Sequence, residues 1–330
     1  MYESKECDLE IRNINILIGS NGAGKTNFLS AFTLLNNLYA QNLDIHVAQN
    51  GMSTIFYNGF KVTEKISIKL HIGDHLREYS FLSGSNNKLI NASNGYGRGG
   101  YGENGYGSQT TDRDELSFRV YHFNDTSRNA RIKHEQNISN CKTLLDDASN
   151  LAAFLYRLRT NYLSSYKKIL ETVQLVAPFF KDFELEPNEH NNEHIVLRWR
   201  QIGCEDIFNA SQLSDGTLRF ICLATLLLQP QELQPDLLII DEPELGIHPF
   251  AIMILAEIVR KVAFNKQIIL STQSIEFLNQ FDTEDIIVVD RGENGSEFKR
   301  LDAERLAYWL ENDYTLGELW NKNILEIRSK

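Results

Sequence analysis

The sequence predicts an α/β fold with a mostly parallel sheet, an antiparallel β lobe and a helical segment. Residues 237–240, 268–270 and 286–289 are short unbroken apolar runs, as strands buried on both faces of a sheet must be. A helical pattern at Pro249–Val262 separates the first two runs, and the order strand, helix, strand is typical of parallel neighbours joined by right-handed crossovers. Residues 66–72 alternate apolar and polar side chains instead, which indicates a half-buried strand of the antiparallel lobe.

The composition excludes several classes of protein. The 330 residues are 42% apolar, and a net charge of −11 argues against non-specific coating of nucleic acid. The longest apolar run, residues 250–256, is far shorter than the roughly 20 residues of a membrane-spanning helix, and the acidic start does not resemble a secretory signal. The four cysteines lie far apart without a CxxC pair, which favours reduced thiols. We therefore expect a cytoplasmic protein with no membrane partner.

Taken in order, the chain is predicted to be one domain in three parts, the first covering residues 1–126. This part would hold a phosphate-binding loop and the β lobe, whose strand-like patterns cover residues 9–84 and 116–123. Residues 91–110 contain seven of the 20 glycines, which predicts a flexible insertion at a hairpin tip. Stacking of its tyrosines on single-stranded nucleic acid is a less favoured alternative.

The second part, residues 127–185, is the predicted helical segment. Apolar side chains between residues 148 and 177 recur every three or four positions, as on one face of a long amphipathic helix, and Pro178 is a plausible stop. The third part, residues 186–330, contains the apolar strands and two of the three motifs that follow.

A glycine-rich loop directly follows an apolar strand at Ile14–Ile18. The loop reads G-x-x-x-x-G-K-T and leads into a helix with an apolar face made of Phe28, Phe32, Leu35 and Tyr39. In such a loop backbone N–H groups surround phosphates, Lys25 reaches the β- and γ-phosphates, and Thr26 offers a hydroxyl to Mg²⁺. The motif thus predicts binding of ATP and Mg²⁺ by Gly19, Ser20, Asn21, Gly22, Ala23, Gly24, Lys25, Thr26 and Asn27.

Two acids end the apolar strand of residues 237–240. Because the carboxyl ends of buried parallel strands face the ligand crevice of a sheet, Asp241 is suited to hold Mg²⁺ and Glu242 to activate the attacking water. A second buried strand ends in Ser-Thr-Gln-Ser at residues 271–274, which would place a polar side chain beside the γ-phosphate.

The third motif, LSDGT at residues 213–217, opens a largely apolar helix at residues 218–228. A serine and a glycine at the start of a helix leave the hydroxyl and backbone N–H groups free to bind an anion. Ser214 and Gly216 are therefore candidate phosphate ligands.

Together the motifs resemble the ABC-type ATPase heads of the RecF/SMC/OLD superfamily, and more closely its compact prokaryotic predicted ATPases. The resemblance rests on GSNGAGKT, LSDGT, LLIIDEPELGIHP and STQS, and it extends to VYHFNDTS, SNLAAFLYRLR and YTLGELWNKNIL. It covers most of the chain and implies the fold of a P-loop NTPase ABC-type head over residues 1–330.

The resemblance also implies roles for individual residues. LSDGT would be the ABC signature, which reaches ATP held by a second copy, so the active form would be a homodimer; residues 244–249 would be the D-loop region. Gln273 would be the switch residue, where ABC ATPases usually have a histidine that can carry a proton. Asp215 replaces a usual glycine, and the Q-loop glutamine has no clear counterpart, with His122 and Asn124 as candidates.

The expected function is an ATPase that converts ATP and water to ADP and phosphate and acts as a dimeric switch. Similar prokaryotic ATPases are often encoded beside a nuclease or another toxic effector in anti-phage defence, so the expected partner is an effector from a neighbouring gene. The alternative is a RecF-like DNA-repair or DNA-end-binding ATPase, with DNA as partner. A transporter subunit fits less well, because 214 − 25 = 189 positions separate Lys25 from Ser214. In a metabolic P-loop kinase LSDGT would have no role.

Overall fold

The structure is a computed structural model that describes residues 7–56, 59–84, 88–92, 117–188, 191–292 and 295–325. The chain divides into two compact units, each assembled from separate segments. Unit 1 holds the described residues of Met1–Leu9, Gly19–Arg119 and Val289–Lys299, and unit 2 those of Glu10–Ile18, Val120–Val288 and Arg300–Lys330.

Both units mix strands and helices. The strands are β1 (Ile14–Ile18), β2 (Lys65–Ile72), β3 (His75–Ser83), β4 (Leu89–Asn91), β5 (Phe118–Tyr121), β6 (Gln136–Asn137), β7 (Phe180–Glu184), β8 (His194–Ile195), β9 (Arg198–Gln201), β10 (Ile207–Asn209), β11 (Leu237–Asp241), β12 (Gln267–Ser271), β13 (Ile286–Gly292) and β14 (Gly295–Arg300). The helices are α1 (Lys25–Tyr39), α2 (Leu43–Asn50), α3 (Met52–Ile55), α4 (Leu151–Asn161), α5 (Leu163–Val176), α6 (Asp215–Leu228), α7 (Pro249–Val262), α8 (Ile275–Leu278), α9 (Ala303–Glu311) and α10 (Leu316–Asn321).

The largest sheet has six strands in the order β14-β13-β1-β12-β11-β5. Strand β1 pairs in parallel with β12 and β13, and β12 pairs in parallel with β11. Successive residues of these four strands are buried, although they point to opposite faces, as their unbroken apolar runs require. The predicted α/β class and mostly parallel sheet are confirmed.

Unit 1 contains an antiparallel sheet in the order β2-β3-β4, and the predicted alternation is visible along β2. Before this sheet the chain forms the predicted helix α1 and also α2 and α3, so residues 9–84 are more helical than the strand-rich lobe predicted around that one helix. The predicted apolar face of α1 is present: the ring of Phe28 contacts Phe32, and the rings of Phe32 and Tyr39 both contact Phe118. Tyr39, at the end of the helix, is 43% exposed. The predicted insertion lies outside the described residues from position 93 onward.

The strand predicted at residues 116–123 does not belong to the antiparallel lobe. Its described part forms β5, which lies next to β11 at the edge of the six-stranded sheet. A strand of four residues with mixed burial has the same local pattern in either sheet, because pattern reports which side chains are buried and not which strand is the neighbour.

The long helix predicted between residues 148 and 177 is two helices, α4 and α5. They are separated at Tyr162, whose backbone (φ −138°, ψ 52°) is not helical. The apolar stripe nevertheless continues through the break, with Leu151, Leu155, Leu158, Tyr166, Ile169 and Val173 all buried. Helix α5 ends two residues before Pro178, which confirms the predicted stop.

Helices α5, α6 and α7 form the helical layer of unit 2, with α6 packed against both of the others. Helix α6 is capped by Ser214, whose hydroxyl accepts a hydrogen bond from the Thr217 backbone N–H, and α7 has Pro249 in its first turn, as predicted. Two smaller antiparallel sheets, β10-β9-β7 and β6-β8, complete this unit. None of the described helices combines the length and apolar character needed to cross a membrane.

Candidate functional site

The phosphate loop follows β1 and belongs to unit 1. Lys25 is only 6% exposed, and its ammonium donates hydrogen bonds to the carbonyl oxygens of Gly19, at 2.7 Å, and Ser20, at 3.2 Å. These contacts hold the positive charge against the loop backbone. A lysine placed in this way can bind an anionic oxygen with little loss of side-chain freedom.

Gly24 is the position at which this loop requires glycine. Its φ is 115°, and a Cβ atom there would collide with the hydroxyl of Ser296. Gly24 is also the N-cap of α1, and no side chain caps that helix, so its first N–H groups are suited to bind phosphate.

The other predicted loop residues surround this helix start. Gly19 and Ala23 are buried and Asn27 is half-buried, whereas the exposed members are Ser20, Asn21, Gly22 and Thr26. The exposed Thr26 hydroxyl, in the first turn of α1, is an oxygen donor of the kind Mg²⁺ prefers.

Asp241 is the last residue of β11 in unit 2, and Glu242 follows it. Asp241 Oδ1 accepts a hydrogen bond from Ser271 Oγ at 2.7 Å, and Nδ1 of His122 lies 3.9 Å from Asp241 Oδ2. Glu242 has a left-handed backbone (φ 46°), and its N–H donates to the Ser271 carbonyl at 2.9 Å. The sheet register, which pairs Asp241 with Ser271, thus brings the acids to the residues that follow β12.

Gln273 reaches the same acids from the switch loop, which we define as residues 271–274. Its side-chain Nε2 donates a hydrogen bond to Glu242 Oε1 at 2.6 Å. The predicted catalytic pair is therefore in direct contact. An amide that donates to a carboxylate orients that carboxylate without competing for its proton-accepting role.

The structure adds one acid that the sequence did not single out, Glu244. Its Oε1 accepts hydrogen bonds from Thr272 Oγ1 at 2.5 Å and from the Gln273 N–H at 3.3 Å. Burial raises the pKa of the Glu244 carboxyl above its ordinary value, and the charge of Glu242 adds to the rise, while the bonds from Thr272 and Gln273 oppose it.

The LSDGT motif stands at the start of α6, with Ser214 and Asp215 exposed. A Cβ atom on Gly216 would collide with the carbonyl oxygen of Gly246, so the first turn of α6 packs directly on the loop after Glu244. The carboxylate of Asp215, the unusual residue of the motif, lies 3.7 Å from the ammonium of Lys133. The side chain of Lys133 is almost fully buried.

Arg219, one turn further along α6, is a second residue that the sequence did not single out. Its guanidinium donates to the carbonyl oxygens of Phe123 at 3.1 Å, Asn124 at 2.8 Å and Leu245 at 2.6 Å. It thereby connects α6 both to the segment that contains the Q-loop candidates and to the predicted D-loop region. A single arginine in an otherwise apolar helix was the signal that could have identified it.

The structure therefore brings most of the predicted site residues of unit 2 into two groups. Asp241, Glu242 and Gln273 meet at the ends of β11 and β12, while Ser214 and Gly216 lie at the start of α6. The loop of residues 19–27 belongs to unit 1. In the described part of the chain no group of three or more His, Cys, Asp or Glu side chains is arranged to hold a metal ion by itself. Mg²⁺ needs no such group when nucleotide phosphates supply most of its ligands.

Comparison with known proteins places this arrangement in a family. The profile of the family described as "AAA domain, putative AbiEii toxin, Type IV TA system" matches residues 102–279, more than half of the 330-residue chain. No curated protein matches the sequence.

Two similar solved structures are SMC heads. One is the SMC head bound to the C-winged helix domain of ScpA, 13% identical with a TM-score of 0.61, and the match covers 91% of this chain and 94% of that chain. The other is the SMC head domain from Thermotoga maritima, 12% identical with a TM-score of 0.44, covering 89% and 92%. The chain therefore belongs to the AAA domain family of the description above, and its fold is that of a RecF/SMC-type ABC ATPase head.

Proposed function

We propose that this P-loop protein hydrolyses ATP to ADP and phosphate. The observation that carries the proposal is the 2.6 Å hydrogen bond from Gln273 to Glu242, next to Asp241 at the end of a buried parallel strand. Glu242 would accept the proton of the attacking water, and Gln273 would orient Glu242 and bind the γ-phosphate.

The substrate would be held by the residues of the phosphate loop. Lys25 and the backbone N–H groups of residues 19–27 would bind the phosphates, and Thr26 and Asp241 would bind Mg²⁺. The donor set fits this ion, because both residues offer oxygen and Asp241 keeps 12% of its side chain exposed. When bound, the ion neutralises charge on the β- and γ-phosphates.

We further propose that the active form is a homodimer in which Ser214 and Gly216 of each copy reach the ATP bound by the other. The exposed position of Ser214 at the start of α6 supports this arrangement, because an uncovered helix N-terminus can receive a phosphate from outside the chain. In this view residues 1–330 are one head, and closure on ATP is the switch.

The biological role that we propose is control of a toxic effector encoded by a neighbouring gene, in anti-phage defence and in the cytoplasm. Support for the defence setting comes from the description of the matched family, which names the AbiEii toxin and a type IV TA system. The separate effector is what the family resemblance of the sequence motifs implies.

The test combines turnover with partner capture. Purified protein is expected to release phosphate from MgATP, and a Lys25→Ala variant to lose that activity. Co-expression with the neighbouring gene is expected to give a complex whose phage protection depends on Lys25. Stimulation by duplex DNA ends without any effect on phage plating would instead favour the DNA-repair alternative, and absence of MgATP turnover would contradict the ATPase proposal.

A further inference from the structure

Glu244 is a buried acid that the proposed mechanism does not use. The residue is 8% exposed, and its Oε2 atom has no hydrogen-bond partner within the described residues. A carboxyl group in such a place is costly, because burial removes its hydration. Its Oε1 atom is directed at the switch loop and accepts both of the hydrogen bonds that the group receives there.

The switch loop meets the acids in a one-to-one arrangement. Three successive residues of the loop each bond to a different acid: Ser271 to Asp241, Thr272 to Glu244 and Gln273 to Glu242. Asp241 is the predicted metal ligand and Glu242 is the predicted base. The bond between Thr272 and Glu244 is the buried one of the three, since Thr272 is 0% exposed.

Thr272 is well placed to fix the position of the switch loop. Its N–H donates to the Leu17 carbonyl of β1 at 3.0 Å, and its hydroxyl oxygen accepts from the Ser274 N–H at 3.0 Å. The same hydroxyl donates to Glu244, so the loop is held at one side by the sheet and at the other by this carboxyl. The Gln273 N–H is also directed at Glu244 Oε1.

From these contacts we infer that Glu244 is the positioning residue of the switch loop: it holds Thr272 and the Gln273 backbone so that the Gln273 side chain meets Glu242. Glu244 itself does not touch the reacting atoms in this scheme. The expected effect on turnover rests on the proposed ATPase function, whereas the contacts of Glu244 with the switch loop are present in the chain itself.

The test compares three variants of the full chain with one control. Glu244→Ala removes the acceptor, Thr272→Val removes the donor at nearly constant shape, and Glu244→Gln keeps an acceptor oxygen at Oε1. The control is Thr225→Val, which changes a fully buried threonine of α6 whose hydroxyl has no hydrogen-bond partner among the described residues.

We expect kcat for MgATP to fall about 10- to 100-fold in Glu244→Ala and in Thr272→Val, the range for a misplaced catalytic group, while the Kd for ATP stays within about 2-fold. Glu244→Gln and Thr225→Val are expected to keep most of the turnover. The double variant Glu244→Ala/Thr272→Val should lose no more than the worse single variant, because both remove the same bond.

A second readout does not depend on activity. Amide hydrogen exchange at Gln273 is expected to accelerate in both Glu244→Ala and Thr272→Val, and exchange at Ser274 in Glu244→Ala, whose Thr272 acceptor is intact. Neither amide should change in Thr225→Val, and exchange in α5 should stay the same in all variants. Unchanged exchange at these two amides overturns the inference. Should Glu244→Ala fail to fold, exchange at the Gln273 amide of Thr272→Val decides the matter, because that amide bonds to Glu244 and not to Thr272.

The ATPase proposal and the inference that Glu244 positions the switch loop can be disproved independently. If the wild type shows no turnover, the ATPase proposal is wrong, while exchange at Gln273 and Ser274 still decides whether Glu244 holds the loop. If the wild type turns over ATP and Thr272→Val exchanges faster without loss of kcat, Glu244 has only a structural role and the positioning inference is wrong.

Discussion

Glu242 stands out among single residues because its backbone is left-handed, with φ at 46°. Non-glycine residues seldom take this conformation, and it persists where surrounding contacts enforce it. Here the enforcing contacts are the backbone hydrogen bond to Ser271 and the side-chain bond from Gln273. The sharp turn after β11 thus directs the carboxylate to Gln273, two residues past the end of the neighbouring strand β12.

We predict that Glu242→Gln binds MgATP normally and hydrolyses it at least about 100-fold more slowly, the scale expected for loss of a general base. Glutamine has the same shape but cannot accept the proton of water. Single-turnover phosphate release and nucleotide binding should be measured together. Near-normal turnover would remove Glu242 from the catalytic role.

The raised pKa of Glu244 has a consequence for stability. In the folded chain the Glu244 carboxyl keeps its proton to a higher pH than in the unfolded chain. Its contribution to folding stability is therefore fully present below the ordinary carboxyl pKa and is lost as the pH rises through the pKa of the folded state. Glu244→Gln cannot ionise at this position. We therefore predict that the melting temperature of Glu244→Gln rises relative to wild type as the pH increases from about 4.5.

The control for this comparison is Glu171→Gln, at an exposed position of α5. It removes one carboxylate from the same unit without changing a buried contact. A melting-temperature difference between Glu244→Gln and wild type that stays constant over the pH range would contradict the predicted effect of burial.

Among the elements, α6 connects two other segments of the site. Its first turn packs on Gly246 through Gly216, its N-cap is Ser214, and Arg219 donates to three carbonyl oxygens in two other segments. The planar guanidinium can make these bonds together because its donors point in fixed, divergent directions. Movement of α6 would therefore also move the loop at Leu245.

We predict that Arg219→Met lowers both stability, by on the order of 2 kcal/mol, and turnover per folded molecule, because three carbonyl oxygens lose a charged donor. The matched control is Arg260→Met on α7, which loses bonds to the Gln280 carbonyl and to Glu257. This control should lose stability but keep turnover. Equal turnover in the two variants, measured at the same fraction folded, would show that Arg219 only stabilises the fold.

Helices α4 and α5 show how far an element can be predicted from its residues. The buried stripe was correct on both sides of Tyr162, because the side chains of two successive helices can face the same core. The break itself was not predicted. No proline or glycine marks it, and a period of 3.6 residues is satisfied by either arrangement.

For the whole molecule, the decisive question is where a complete active site forms. If LSDGT is an ABC signature, each ATP lies between Lys25 of one copy and Ser214 of the other, and two such sites form in one isologous interface. Because ATP that binds only the closed form favours the dimer by mass action, dimerisation should depend on ATP.

We predict that Lys25→Ala and Ser214→Arg are each inactive alone and recover activity when mixed. A mixed dimer has one intact site and one site with both lesions, so recovery should reach at most about half per mixed dimer if the sites act independently. One variant is titrated into the other at fixed total protein, and dimerisation is followed by light scattering. Full activity of the Ser214→Arg homodimer would exclude the composite site.

Local features of this protein were determined by its sequence alone. The buried strands β1, β11, β12 and β13, the cap at Ser214 and the proline at the start of α7 depend on side chains within a few residues of each other, and such short-range effects are visible in the order of residues. The family resemblance belongs with them, since it rests on contiguous motifs.

Only the tertiary structure decided which distant segments meet. It placed β5 beside β11, buried Glu244 against Thr272, and directed Arg219 to Leu245 and Asn124. The three hydrogen bonds join residues 26, 28 and 95 positions apart, and β5 ends 116 positions before β11 begins. Local pattern records whether a residue favours the interior, but the choice of partner depends on how the whole chain packs, because many partners satisfy the same pattern.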